Sequence, residues 1–406
     1  MRHIERQILH VDVNNAFLSW TALERLEKGE TLDIRTIPSI IGGDETKRSG
    51  IVLAKSTKAK EMGIVTGEPI YQARKKCPNL QVFSSSYATY VKQSNKLYQL
   101  LLQYTDKIER FSIDECFLDM TQFLMQSTLL EKAQDISKRV KTELGFTVNV
   151  GVAHNKLLAK MASDFTKPDK VHTLFEDEIP TKMWPLPVGE LFMIGKKSAE
   201  KLQCMQIRTI GDLAKQDPHM LIKKFGKHGL LMWEYANGID KSPVQYEEEK
   251  PKGIGNSVTL PADVTQTEKI EEILLALTEH VTYRLRKHDL LANVVNVQLR
   301  THEFTDWSHQ KKLDAPTAST KIIYTAVKEL LAEMYTQKQR IRLVGMRVDN
   351  LVEKEQRQLT LFSNAQQEKQ EKLDSVVDAL KNKYGYQSIT RAGDLHTDIT
   401  LKGDKK

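Results

Sequence analysis

Three carboxylates stand where the sequence changes texture. Asp12 closes the run ILHVDV at 8–13, in which four of six residues are apolar, and Asp114-Glu115 separates the runs 107–111 and 116–119. A charge at the end of an apolar strand is costly to bury unless something pairs with it. If these strand ends lie side by side they form an acidic pocket of the kind that holds hard divalent cations, which prefer oxygen ligands. Two such ions roughly 4 Å apart neutralise a polyphosphate and activate a hydroxyl. The same residues also suit a strand-end turn and an exposed acidic turn, and spacing alone leaves both readings open.

Two basic segments point to phosphate. LFMIGKKSAEKL at 191–202 and KKFGKHG at 223–229 read as helix-hairpin-helix units. In such a turn Gly195 or Gly226 exposes backbone N–H groups to a phosphate, and Lys196, Lys197 and Lys227 add charge. Contacts of this sort ignore base sequence; two hairpins packed only for stability are the plainer alternative. Near the end, Gln358-Leu359-Thr360-Leu361-Phe362 places three large apolar residues in a polar stretch. That suits a partner's pocket, or docking back on the chain's own domain.

These groups need a scaffold. The chain has 406 residues, enough for two to four domains, with 40% hydrophobic and 28% charged residues. No stretch approaches the ~20 apolar residues of a membrane span, and the charged start running into a strand does not read as a secretory signal. Three cysteines (Cys77, Cys116, Cys204) without CxxC spacing argue against a disulfide framework or a zinc site, and suit a cytoplasmic protein. A net charge of +7 and a pI near 9.0 favour a polyanionic partner. Strands are expected at 8–13 and 147–152 and helices at 16–26, 87–104, 129–144 and 156–165, with a hairpin-rich module at 34–69. This order predicts an α+β fold, an antiparallel sheet backed by helices. Short helices with glycine turns follow from about 175, then a proline-containing charged linker. Strand, helix, two strands, helix and strand between 254 and 348 make a separate βαββαβ domain. A helix-like run at 368–384 closes the pattern.

The segment 8–17, Ser112-Ile113-Asp114-Glu115, the run Asn155-Lys156-Leu157-Leu158-Ala159-Lys160-Met161-Ala162-Ser163-Asp164 and Lys167-Pro168, in this order, resemble the Y-family DNA polymerases. Within them the chain is similar to the DinB or polymerase IV branch of Gram-positive bacteria, over roughly residues 8–350. The resemblance implies a multidomain right hand: palm at 1–15 and 85–174, fingers at 16–84, helix-hairpin-helix thumb at 175–241 and linker at 242–252. The little finger would span 253–350, with a tail at 351–406. It implies a translesion DNA-directed DNA polymerase of low fidelity and without proofreading, taking dNTPs and primer-template DNA. Two Mg²⁺ ions, with Mn²⁺ as a substitute, would be held by Asp12, Asp114, Glu115 and the Val13 carbonyl, Glu115 lying nearest the primer 3′-hydroxyl. Phe17 matches the family's steric gate against a ribose 2′-hydroxyl. The tail peptide looks like the segment that bacterial polymerases insert into the sliding clamp (β subunit), with Gln358 setting register and Leu359, Leu361 and Phe362 supplying apolar contacts. A nucleoid-associated cytoplasmic monomer is the implied state.

The chain departs from the family twice. Where relatives carry Tyr-x-Ala-Arg, it has Thr57-Lys58-Ala59-Lys60. Lys60 and Lys167 remain the implied triphosphate ligands, but Lys60 lacks arginine's fork and Thr57 has a short reach. Where relatives have Gly-Ile-Gly in the first hairpin, the chain has Met193-Ile194-Gly195, which should loosen that turn. Two other functions stay in view: a DNA- and clamp-binding accessory protein with weakened catalysis, and a nucleotide cyclase. For the cyclase, Gly42-Gly43-Asp44-Glu45 is similar to the diguanylate cyclase turn, although a plain hairpin turn accounts for it better.

Overall fold

A computed structural model describes residues 5–45, 48, 50–124, 127–247, 250–336, 339–354, 365–385 and 388–389. The chain divides into two compact units, Met1–Gly43 with Ile51–Glu248, and Asp44–Gly50 with Glu249–Lys406.

In the first unit, the apolar run near the start forms β1 (Ile8–Val13), buried along its whole length. It leads into α1 (Ala16–Glu27). Next come β2 (Ser39–Gly42), β3 (Val52–Lys55), α2 (Thr57–Glu61), α3 (Ile70–Lys76) and β4 (Gln81–Ser84). Then follow α4 (Tyr87–Leu101), β5 (Ile108–Arg110), β6 (Glu115–Asp119), α5 (Leu129–Arg139), β7 (Val148–Ala153), α6 (Lys156–Ser163) and β8 (Val171–Thr173). The main sheet has the order β5-β6-β1-β7-β8. Its first four strands are antiparallel and β8 runs parallel to β7.

Alternation along β1 sorts the site. Leu9, Val11 and Val13 share one face with Trp20, Leu97, Ile136 and Val150 in a closed core. His10 and Asp12 point the other way, opposite Phe117 and Glu115 of β6 and Gly151 and Asn149 of β7. Helix α6 covers this second face. It sits unusually close, because a Cβ on Gly151 would lie 1.8 Å from the Ala159 carbonyl oxygen and 2.7 Å from the Ser163 nitrogen. Only glycine lets the two backbones touch.

The smaller sheet, β3-β2-β4, has its own core around Ile40, Val52, Ala59, Ile64 and Ile70. The Gly42-Gly43 turn ends β2, on a different sheet from Asp12, which separates it from the arrangement a cyclase would need. The region after β8 is built of short helices, ending with α7 (Lys196–Cys204), α8 (Ile210–Ala214), α9 (Pro218–Phe225) and α10 (Lys227–Ala236).

The stretch after α10 lacks periodicity yet is tied down. Asn155 caps α6 through the Leu158 N–H and donates its amide to the Gly238 carbonyl at 2.9 Å. Asp240 accepts from the Leu157 N–H. Glu109 accepts from Lys156 at 2.7 Å and from the Gln245 N–H at 2.6 Å. Within the segment read as linker, the Gln245 N–H is thus satisfied by the Glu109 carboxylate and the Ser242 carbonyl by Arg6.

The second unit contains β9 (Gly253–Val264), α11 (Thr267–Lys287), β10 (Leu290–Thr301), β11 (Asp306–Thr317), α12 (Thr320–Met334) and β12 (Ile341–Asp349). The sheet order is β11-β10-β12-β9, antiparallel throughout, with β13 (Val352–Glu353) also paired to β10. Both helices cover one face over Leu277, Val281, Val297, Leu299 and Val327. Register puts Arg300, Arg347 and Lys312 on the other face. Lys311 stands on the helix side and pairs with Glu329 of α12 at 2.6 Å. A final helix, α13 (Ala365–Tyr384), docks on this unit through Asp378–Arg286 at 2.6 Å and Lys381–Glu279 at 3.3 Å.

Gly151→Ala should push α6 off the sheet and destabilise the protein by about 3 kcal/mol. Gly195→Ala, where a Cβ meets nothing within 4 Å, should leave the melting temperature close to the parent's. Calorimetric melting of both variants is the check.

Candidate active site

A cleft of about 390 Å³ opens between the C-terminal end of β1 and the small sheet. It is lined by Asp12, Val13, Phe17, Thr57, Lys60, Asp114 and Lys167, residues drawn from six separate stretches of sequence. Lys55, which sequence reasoning missed, lines it too, while Lys58 does not. A larger cavity, about 630 Å³, lies in the second unit between α11 and α13, and its walls include the mutually paired Arg286 and Asp378.

Asp12 and Glu115 face each other across the β1–β6 pair, and the Val13 N–H donates to the Asp114 carbonyl at 3.0 Å. The three expected ligands therefore come from adjoining strand ends. Asp114 and Glu115 are shifted in opposite directions. Burial and the neighbouring charges of Asp12 and Glu115 raise the Asp114 carboxyl, against a 2.6 Å hydrogen bond from Ser112. Burial would also raise Glu115, but the His10 ring nitrogen 3.4 Å away and the charge of Lys160 outweigh it and hold it at about 2.

Two ammonium groups answer the acidic cluster. Lys160 Nζ lies 3.1 Å from Glu115, 3.6 Å from Asp12 and 3.2 Å from Asp164. Lys167 Nζ lies 2.8 Å from Asp12 and 2.9 Å from Asp164. Burial opposes charge on both lysines, yet Asp164 and Glu115 around the first and Asp12 beside the second raise them. So much positive charge drawn to one point shows how negative the carboxylates make it. An all-oxygen donor set with this surplus charge fits a hard divalent cation such as Mg²⁺.

Among the described residues, the group of three His, Cys, Asp or Glu side chains with ligand atoms within 4.8 Å of one another is elsewhere, at Glu5, His154 and Glu176. It lies beyond the opposite end of β1, where His154 Nδ1 makes 3.0 Å contacts to both carboxylates. Asp12, Asp114 and Glu115 are spread more widely, with lysine nitrogens against them.

The opposite wall is aromatic and basic. Phe17 stacks on Tyr90, ring centroids 4.5 Å apart and planes 19° off parallel, which backs it with a rigid surface. Lys55 is lowered by burial and by the charge of Lys60. Two like charges held near each other in a cleft favour an anion between them. Thr57 begins α2, whose N-terminus is capped by Ser56. Lys167 is carried on a loop pinned by buried Asn149, which donates to the Ser163 and Thr166 carbonyls at 3.0 Å each.

The hairpins keep their turns. Gly226 adopts φ 64° and ψ −146°, a conformation open essentially to glycine alone. Met193 adopts φ 71° where relatives of this pattern have glycine. The first turn is therefore formed despite the missing glycine, at a backbone cost of about 1 kcal/mol or more. Gly195 starts α7, and Lys196, Lys197 and Lys227 are exposed beside these turns. Gln358, Leu359, Leu361 and Phe362 lie outside the described residues.

Asn149 and Gly151, like Lys55, are missing from the sequence-level site. A buried asparagine and glycine in an apolar strand were the available signals, but which backbone they served depends on α6.

Known proteins resemble this chain in sequence and fold. Residues 11–164 match the impB/mucB/samB family and residues 251–361 the C-terminal domain of the same family. The chain is 48% identical to a DNA polymerase IV of Clostridium acetobutylicum, over 96% of this chain and 98% of the relative. It is 36% identical to DNA polymerase IV 2 of Bacillus subtilis, over 96% and 95%. A solved chimeric Y-family DNA polymerase superposes with a TM-score of 0.74 at 24% identity, covering 86% of this chain and 99% of that one.

Proposed function

This chain belongs to the impB/mucB/samB family, in the DinB-like branch of the Y-family DNA polymerases, and is a DNA-directed DNA polymerase; we propose that it extends primers by two-metal catalysis, at low fidelity and without proofreading. The observation that supports the mechanism is the single cleft joining Asp12 and Asp114 to Phe17, Lys55, Lys60 and Lys167. Family members depend on divalent metal. Here Asp12, Asp114, Glu115 and the Val13 carbonyl would hold two Mg²⁺, which when bound lower the charge on the triphosphate and help activate the 3′-hydroxyl.

The chain's own residues do the rest. Lys55, Lys60 and Lys167 draw the triphosphate in by charge, as point cations instead of the relatives' arginine fork. Phe17, backed by Tyr90, presents a flat wall that a 2′-hydroxyl would strike. The lysine-bearing turns at Gly195 and Gly226 grip the DNA backbone without reading bases, which suits an enzyme acting at any lesion. A shallow, exposed grip on DNA would make synthesis distributive, and the peptide Gln358–Phe362 answers that by binding a sliding clamp. The working form is a cytoplasmic monomer on DNA.

Primer extension with Mg²⁺ and dNTPs tests the activity and the metal site together. Asp114→Ala should lower incorporation by roughly a thousandfold or more; retained activity would refute the metal assignment. Phe17→Ala should raise the ratio of ribonucleotide to deoxynucleotide incorporation about a hundredfold, and unchanged sugar selection removes Phe17 as the gate. Deleting 358–362 should abolish stimulation by an added clamp while sparing clamp-free synthesis. Equal loss of both would count against a clamp peptide.

A further inference from the structure

His10 stands in the middle of β1, wholly buried, where the alternation of the strand points it beneath the metal carboxylates. A leucine would fill this place without leaving polar atoms to satisfy. The imidazole is instead hydrogen-bonded at one nitrogen and aims the other at a carboxylate of the site. Nδ1 lies 2.8 Å from Ser163 Oγ. Nε2 makes no hydrogen bond among the described residues and lies 3.4 Å from Glu115 Oε2, within reach of one on a small shift. The Phe117 ring, its centroid 4.5 Å away and its plane tilted by 52°, limits the movement of the imidazole. The other oxygen of the same carboxylate, Oε1, is held by Lys160 at 3.1 Å. Both oxygens of Glu115 are thus approached by donors, one from the strand beneath and one from α6.

The proton count allows the contact. Ser163 Oγ lies 2.8 Å from the Lys160 carbonyl and 2.8 Å from His10 Nδ1, so its one proton serves either. When the hydroxyl donates to Nδ1, the ring carries its proton on Nε2 and donates it to Glu115.

We propose that His10 is a positioning residue for Glu115, held by Ser163 and fixing the Glu115 carboxylate from below so that it is oriented before metal binds. This rests on the reading of Glu115 as a metal ligand. Groups that hydrogen-bond a ligating carboxylate tune metal binding, and losing one typically weakens affinity or activity about 10–100-fold. A histidine kept only for packing would affect stability and leave metal binding alone.

The test uses the full chain with a blocked primer-template and the matching dNTP, and reads Mn²⁺ binding by electron paramagnetic resonance beside the Mg²⁺ dependence of single-turnover extension. His10→Leu should weaken Mn²⁺ binding about tenfold or more and shift the Mg²⁺ requirement upward. His10→Gln, which keeps a donor on a side chain of similar reach, should recover part of the loss. Ser163→Ala removes only a hydroxyl and should show a smaller loss in the same direction. It carries the test if His10→Leu does not fold. Parent-like Mn²⁺ binding in His10→Leu or Ser163→Ala, whatever the melting temperature, overturns the proposal, and leaves the metal site standing if Asp114→Ala has lost Mn²⁺. Parent-like Mn²⁺ binding in Asp114→Ala overturns the metal-site reading and the proposal with it.

Discussion

The backbone of α6 lies directly on β7 because residue 151 has no side chain, and the site depends on that contact. It brings Lys160 to within 3.6 Å of both Asp12 and Glu115 and Ser163 to His10. It also starts the loop that returns Lys167 to Asp12. Without cations so near, three carboxylates on adjoining strand ends would repel one another, and burial would push them toward the neutral form. A neutral carboxyl is a poor ligand for a hard cation. His10 on β1 and Lys160 on the close helix together hold Glu115 low, and so the packing of helix on sheet shapes the charge of the pocket.

The other contributions follow from that frame. Aromatic stacking fixes Phe17 without using the acidic face. Strand β3 offers Lys55 and helix α2 offers Lys60 from the far wall of the cleft, so positive and negative charge meet across open space where a metal–triphosphate pair would lie. Asn155 and Lys156 lie in the run at 155–164, and here Asn155 tethers the Gly238 carbonyl just after α10 while Lys156 pairs with Glu109, which in turn accepts from the Gln245 N–H. Their role is mechanical. The motif therefore mixes residues facing the site, such as Lys160, with residues that hold the next segment.

Much of this was legible from the sequence. The strand at 8–13, the βαββαβ unit and the positions of Asp12, Asp114 and Glu115 could be read because alternation, breaks and charge are local properties. Resemblance supplied roles that spacing alone left open, and similarity over 96% of the chain to a DNA polymerase IV carries the same family assignment. The missing glycine at 193 was expected to loosen the first hairpin. The turn forms with Met193 in the left-handed region, flanked by the buried apolar residues Leu191 and Ile194.

By itself, then, the sequence determined which residue types exist at which strand ends and which segments are strands or helices, since these follow from nearest-neighbour pattern. Tertiary structure decided which charges meet. Lys160 is 148 positions from Asp12 and 45 from Glu115 in the chain, and only the close approach at Gly151 makes them partners. Asp12, Asp114 and Glu115 meet these cations because of what packs on them, and Coulomb energy at a few ångströms is a property of distance in space that no spacing along the chain records.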